Sequence, residues 1–269
     1  MTPPKLLCEH AEGTLRGHRD VCRACGSFWD VESRAADVVY DERYPEQRGH
    51  FDPRVGALKV GTLKRWLGAA GIDLAGKHVC EVGFGGGSCI AYLERSAGRV
   101  TGLEANAFAL ERVRASGVTA DLLVVDRLPA RLPVPVDLWL FQDSFEHIPE
   151  PAPFVDWLCA SSAPAAEILL VAPRADSMSQ RLLGRYWPHK LPDHCFHWSR
   201  RGLIEFMARR GFALRTEFSP LKLVSPAMIV AHCAHKAGRA HGGLRLRSGR
   251  LAVPCNFGEM GIVFRHTRG

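Results

Sequence analysis

The chain has 269 residues, 46% of them hydrophobic and 23% charged, with a formal charge of +7. That length buries a full core, and one main domain with a small appendage is the expected organisation. No apolar run approaches the ~20 residues needed to cross a bilayer, the opening MTPPKLLCEHAEG lacks a signal-peptide pattern, and nine scattered cysteines do not make a disulfide scaffold in a chain this long. The expectation is therefore a cytoplasmic protein with no membrane partner and mostly free thiols.

The first region, residues 1–53, is poor in periodic pattern but carries CEHAEGTLRGHRDVCRACG. Cys22 and Cys25 have the C-x-x-C spacing of a zinc knuckle, with Gly26 following. The first half departs from that pattern. Cys8 and His10 stand where a second pair would be, and His18 is an alternative fourth ligand. A closed structural zinc site made of Cys8, His10, Cys22 and Cys25 is one reading, and free thiols in a loop the other.

From residue 54 onward, short apolar runs alternate with helical stretches, the pattern of a parallel sheet wrapped by helices. A helix is predicted over 55–70, where Leu58, Leu63 and Leu67 recur at helical spacing. Strands are predicted at 78–82, 99–103, 120–125, 136–141 and 167–172. A helix opened by Ser199 and closed by Gly211 comes next, and two further strands occupy 212–218 and 259–266. Between these last two lies HKAGRAHGGLRLRSGR, with five basic residues and no acid. It reads as a solvated loop or as an anion-binding segment.

The first strand runs into EVGFGGGSC. Gly83, Gly85 and Gly87 let a backbone turn approach a ligand closely before the next helix, since no Cβ stands in the way. Alone, such a turn serves dinucleotides, flavins and other nucleosides alike. Two carboxylates narrow the choice. Glu104 ends the second strand, where an acid can bind a ribose diol. Glu81 lies inside the first strand just ahead of the turn, where its charge opposes a pyrophosphate and suits an ammonium or a sulfonium.

EVGFGGG followed by Glu104 resembles the first two motifs of class I S-adenosylmethionine-dependent methyltransferases. FQDSFEHIPEP (141–151) and the stretch 172–212 resemble the branch that includes ubiquinone-biosynthesis O-methyltransferases and natural-product methyltransferases. The resemblance implies a Rossmann-like, seven-stranded, mostly parallel sheet with helices on both faces over 54–269. It also raises the expectation of a zinc-binding module ahead of that domain, because related methyltransferases carry one.

By position, the resemblance implies that Gly83, Phe84, Gly85 and Gly87 meet the amino acid portion of S-adenosylmethionine, with Glu81 organising the turn or receiving the ammonium. Glu104 would bind the ribose, Asp126 the adenine amino group, Arg127 and Leu128 would border the ring, and Gln142 would lie below the methionine portion. His194, in WPHKLPDHCFHW, is placed over the acceptor pocket; it and His147 are the candidate bases. Tyr186, Trp187, Phe196 and Trp198 could wall an acceptor or belong to the core. In ubiquinone-type enzymes, an acid with a Glu-His pair like Asp143, Glu146 and His147 can hold a divalent cation, and the same Glu-His pair occurs in relatives with no metal.

The expected function is methyl transfer to a small-molecule acceptor, at oxygen, in secondary metabolism. Two alternatives remain open: an RNA methyltransferase that uses the zinc module and the basic segment for phosphate contact, and a non-catalytic cofactor-binding interaction protein.

Overall fold

The computed structural model describes residue 8 and residues 13–16, 19–30, 50–191, 193–225 and 252–267. His10, His18 and the basic segment 236–250 lie outside the described residues.

The region expected to lack pattern contains a small antiparallel sheet, β1 (Gly13–Arg16), β2 (Arg19–Cys22) and β3 (Phe28–Asp30), in that order. Its strands are too short for alternation to register in the sequence. A tight turn joins β2 to β3: Gly26 N–H donates to Cys22 O at 2.9 Å and Cys22 N–H to Ser27 O at 2.8 Å, with Gly26 at φ +77°.

The long helix α1 spans Pro53–Ala70. Asp52 caps it, accepting from Arg54 N–H at 2.8 Å, and Gly71 ends it in the left-handed region. The main body then follows: β4 (His78–Val82), α2 (Ser88–Leu93), β5 (Arg99–Glu104), α3 (Ala107–Ala115), β6 (Asp121–Val124) and β7 (Val136–Gln142). After these come α4 (Pro151–Ala160), β8 (Ser162–Pro173), α5 (Met178–Leu183), α6 (Arg200–Arg209) and β9 (Phe212–Phe218). The strands β10 (Lys222–Val224), β11 (Val253–Cys255) and β12 (Glu259–His266) complete the order.

Seven strands form one sheet, ordered β6-β5-β4-β7-β8-β12-β9. The pairs from β6 through β8 are parallel, and β12 is antiparallel to both its neighbours. The expected strands are all present. β8 begins five residues before the predicted 167, because its amino-terminal end continues past the apolar run to pair Ser162 with Val136. The third strand stops at Val124, since Val125–Arg127 winds into a 3₁₀ turn.

Both faces of the sheet are covered, which is why β8 reads as a continuous apolar run. Along β7, Leu138 and Leu140 pack with Leu63 and Trp66 of α1 on one side. Trp139 and Phe141 pack with Trp198 and Phe206 on the other, in a cluster that also holds Cys8 and Cys22. The strand order reverses about β4, between β5 and β7, and ligands of such sheets bind outside the carboxyl ends of the strands at that point.

Candidate active site

At the carboxyl end of β4 the chain turns through Gly83 (φ +78°) and Gly85 (φ +54°) and enters α2 from Gly87 (φ +72°). These angles sit in the left-handed region that L side chains rarely adopt. Glu104, at the end of β5, fixes the turn from beneath: Oε2 accepts from Gly85 N–H at 2.8 Å, and Oε1 from Asn106 N–H at 3.0 Å. Asn106 in turn caps α3, accepting from Ala109 N–H. One buried carboxylate thus binds the glycine turn to the start of the neighbouring helix.

Glu81 is 3% exposed. Its Oε1 accepts from Gln142 Nε2 at 2.8 Å across the β4/β7 seam, while its Oε2 is buried without a hydrogen-bond partner among the described residues. Burial pushes this carboxyl up to about 8, against the lowering pull of Lys59 and the Gln142 bond. A cavity of about 220 Å³ opens here, bounded by Glu81, Gly83, Phe84 and Gln142 on the sheet side and by Lys59 and Trp66 of α1. Its roof is β10, tied to α1 by Leu223 N–H donating to Thr62 Oγ1 at 2.9 Å and Trp66 Nε1 donating to Leu221 O at 3.2 Å.

The residues named from sequence divide among three places. Glu81, Gly83, Phe84 and Gln142 line the cavity; Gly85, Gly87 and Glu104 build the turn beside it. Asp126 and Arg127 are exposed on the 3₁₀ turn after β6, and Leu128 packs against the core. His147 and His194 meet edge to face at 4.7 Å between centroids, and neither lines the cavity. His147 Nδ1 bonds Asp193 O at 2.8 Å, and His194 is 3% exposed. Trp187, Phe196 and Trp198 are core residues, whereas Tyr186 is 57% exposed.

The contributions of α1 and of Lys222 had no signal in the sequence. Lys59, Thr62, Trp66 and Lys222 look like ordinary surface or core positions until β10 is seen folded back on α1. His50 is a similar case: its ring and backbone lie over Gly85 and Gly86 and leave no room for a Cβ there.

The acid that could join Glu146 and His147 around a divalent cation is otherwise engaged. Asp143 is held by the ammonium of Lys222, at 2.7 Å from Oδ2 and 2.8 Å from Oδ1. Glu146, His147 and His194 do gather, their ligand atoms all within 4.8 Å. Burial, reinforced by the charge of Asp143, drives the Glu146 carboxyl well above the usual range. Two imidazoles and a buried carboxyl are the donors gathered at this point, with Asp143 engaged elsewhere.

The amino-terminal thiols do converge. The sulfur atoms of Cys8, Cys22 and Cys25 lie within 4.8 Å of one another. The Cys8 thiol bonded to Cys25, with help from Ser27 and Cys22, outweighs burial and brings the Cys25 thiol down to about 4. This cluster is fastened to the main body. Ser27 Oγ accepts from Ser199 N–H at 2.9 Å at the head of α6, Phe28 and His197 exchange both backbone hydrogen bonds, and their rings stack at 4.6 Å.

Residues 60–217 match the family described as methyltransferase domain. The chain belongs to this family, the class I S-adenosylmethionine-dependent methyltransferases. It is 31% identical over 117 residues to the ubiquinone biosynthesis O-methyltransferase of Klebsiella pneumoniae subsp. pneumoniae, a match covering 40% of this chain and 47% of that protein. The protein of the same name from Bordetella parapertussis is 27% identical over 130 residues, covering 45% and 52%. The chain thus spans about half the length of the curated relatives it matches. Among solved structures, a complex between the Haloferax volcanii Trm112 methyltransferase activator and a methyltransferase aligns over 89% of this chain and 99% of the matched chain, at 16% identity and a TM-score of 0.56. Magnesium protoporphyrin IX methyltransferase from Synechocystis PCC 6803, solved with S-adenosylhomocysteine, aligns over 79% and 84% at 14% identity and a TM-score of 0.50. These likenesses concern the fold.

Proposed function

We propose that the protein transfers the methyl group of S-adenosylmethionine to a hydroxyl oxygen of a small-molecule acceptor. The observation that carries this reading is Glu81: a carboxyl in a buried strand, with one oxygen lacking a partner among the described residues, beside a glycine turn and lining a cavity. A cationic ligand stabilises the ionised form of this carboxyl, whereas a diphosphate beside it would oppose that ionisation. The residues fit the cofactor's amino acid end, with Glu81 and the turn at Gly83 and Gly85 to hold it and Glu104 and Gln142 to set their positions. Asp126, Arg127 and Leu128 would take the adenine side. When bound, the cofactor supplies a methyl group activated by its sulfonium; the protein's part is to hold the two reactants in line and to exclude water. Oxygen as the atom methylated is supported by the O-methyltransferase relatives.

Cys8, Cys22 and Cys25 would hold a structural zinc, with the fourth ligand, His10 or His18, outside the described residues. We place the boundary between this module and the methyltransferase domain at residues 53 and 54.

Calorimetry of the full chain with S-adenosylmethionine and with NAD tests the cofactor, and S-adenosylhomocysteine release across a panel of hydroxyl acceptors tests the reaction. Uptake of NAD in preference to S-adenosylmethionine would overturn the reading.

A further inference from the structure

The cavity contains a second, complete polar arrangement that cofactor binding does not use. Lys222 Nζ lies 2.7 Å from Asp143 Oδ2, 2.8 Å from Asp143 Oδ1 and 2.8 Å from Glu259 Oε1. The two oxygens of one carboxylate stand too close together to take two separate N–H bonds of a tetrahedral ammonium. Asp143 therefore accounts for one donor, while Glu259 adds an ion pair whose Oε1 makes no hydrogen bond among the described residues. An ammonium has three, so this arrangement leaves at least one without an acceptor among the described residues. Lys222 is only 18% exposed, and it lines the same cavity as Glu81, Gly83 and Gln142.

Its two acids are not equivalent. Glu259 is 1% exposed at its side chain and is further fixed by Phe257 N–H, which donates to Oε2 at 2.7 Å, and by His189 Nε2 at 3.1 Å from Oε1. Asp143 is 36% exposed and faces the cavity. It is also one of two non-glycine residues with positive φ among the described residues, at +53°. Such a backbone costs on the order of 1–3 kcal/mol and persists where its surroundings impose it. Here the Asp143 N–H bond to Val171 O and the Lys222 bridge do so. Of the other titratable groups, Glu81 and Lys59 line the same cavity, the buried Glu146 lies within reach of the charges of Asp143 and Lys222, and His189 adjoins Glu259.

We propose that Lys222 and Asp143 together form the site for the acceptor's oxygen: the free N–H of Lys222 donates to that oxygen while the carboxylate of Asp143 accepts its proton. This deepens the methyl-transfer reading and rests on it. In the transfer, an oxygen lone pair forms the O–CH₃ bond and the S–CH₃ bond breaks with its pair remaining on sulfur. The hydroxyl proton passes to Asp143. Lys222 stays protonated throughout and stabilises the negative charge that develops on oxygen. The acceptor class is a phenol or another acidic hydroxyl, not an amine, because an ammonium aimed at the reacting atom repels a cationic nitrogen.

The test uses 4-nitrophenol, whose ionised form is yellow, titrated into the full-length protein saturated with S-adenosylhomocysteine. The wild type should bind the phenolate and lower its apparent pKa. Lys222→Met should weaken phenolate binding roughly tenfold or more, the share of one charge-assisted hydrogen bond. Asp143→Asn removes a neighbouring negative charge and leaves the ammonium in place, so it should bind the phenolate at least as tightly as the wild type. It should also lose methyl transfer to unsubstituted phenol far more than to 4-nitrophenol, which ionises without help. A merely structural role for Asp143 would weaken both properties together and slow both acceptors equally. If the wild type binds S-adenosylhomocysteine but takes 4-nitrophenol un-ionised or not at all, the Lys222/Asp143 site is wrong while the cofactor reading stands. If S-adenosylhomocysteine itself does not bind, it is the cofactor reading that fails.

Discussion

Gln142 donates from Nε2 to Glu81 Oε1 at 2.8 Å, joining the ends of β4 and β7 at the point where the strand order reverses. The bond satisfies one oxygen of a fully buried carboxyl that lines the cavity and leaves the other without a partner among the described residues. With its pKa raised by burial to about 8, Glu81 is protonated in the free protein at neutral pH. A cofactor cation that needs the ionised form must expel that proton. Binding of S-adenosylmethionine at pH 7 should therefore release close to one proton, read by calorimetry in buffers of different ionisation enthalpy, and affinity should rise with pH toward 8. Glu81→Gln should abolish the proton release and weaken binding about tenfold or more. An unchanged proton count in the variant would remove Glu81 from the ligand site.

Glu104 supports two backbone N–H groups, one on the glycine turn and one at the head of α3. Each is a charge-assisted bond to a buried acceptor, worth ~1.5–3 kcal/mol. Glu104→Ala is expected to lower cofactor affinity by roughly two orders of magnitude through loss of turn geometry as well as any ribose contact. Glu104→Gln, which keeps an acceptor oxygen for one of the two donors, should fall between. Equal affinities for wild type and both variants would mean the turn needs no support.

The contrast between the two carboxylates explains what the sequence could disclose. Strand positions followed from unbroken apolar runs such as ILLVA, which a sheet covered on both faces requires, and the glycine turn from residues whose backbone angles admit little else. Glu81 and Glu104 stood out because charged residues rarely sit inside such runs. Lys222 did not, since a lysine before a short apolar pair has no pattern of its own. Its meaning arises from β10 folding onto Thr62 and Trp66, a contact between positions far apart in the chain. His147 and His194 show the converse. Their chemistry suggested a base, and the fold sets their rings edge to face with His147 bonded to Asp193 O, a pairing with no signal in the sequence.

Cys8 and Cys22 belong to the same buried cluster as Trp198 and Phe206, and β3 is bonded to His197. If the three thiols hold zinc, its removal should be felt beyond the small sheet. The purified chain should carry about one equivalent of zinc. Chelation should lower the melting temperature and increase amide exchange at 196–199, where Phe28 and Ser27 now pair. Cys22→Ser with Cys25→Ser should reproduce both effects. A zinc-free protein with those amides already protected would show that the thiols pack without a metal.

Glu259 and Glu81 should bend the stability curve in opposite directions. Burial alone would raise the Glu259 carboxyl, but the Lys222 ammonium, with His189, overcomes it and holds the group at about 2, below its ordinary 4.5. In the unfolded chain the group binds its proton first as pH falls. Its stabilisation is thus complete above 4.5 and is lost between 4.5 and 2. Glu81, raised from 4.5 to about 8, acts the other way: the folded state keeps a proton that the unfolded chain has given up, so stability declines as pH rises across that window. Each slope approaches ~1.4 kcal/mol per pH unit at most. Urea denaturation of the free protein should therefore show maximal contributions from this pair near pH 4.5. Glu259→Gln should flatten the acid side, Glu81→Gln should flatten the neutral side, and neither should alter the other's limb, because Lys222 bridges Glu259 to Asp143 and not to Glu81. A Glu259→Gln variant that keeps the full acid slope would mean that the Lys222 bridge does not hold that carboxylate ionised in solution.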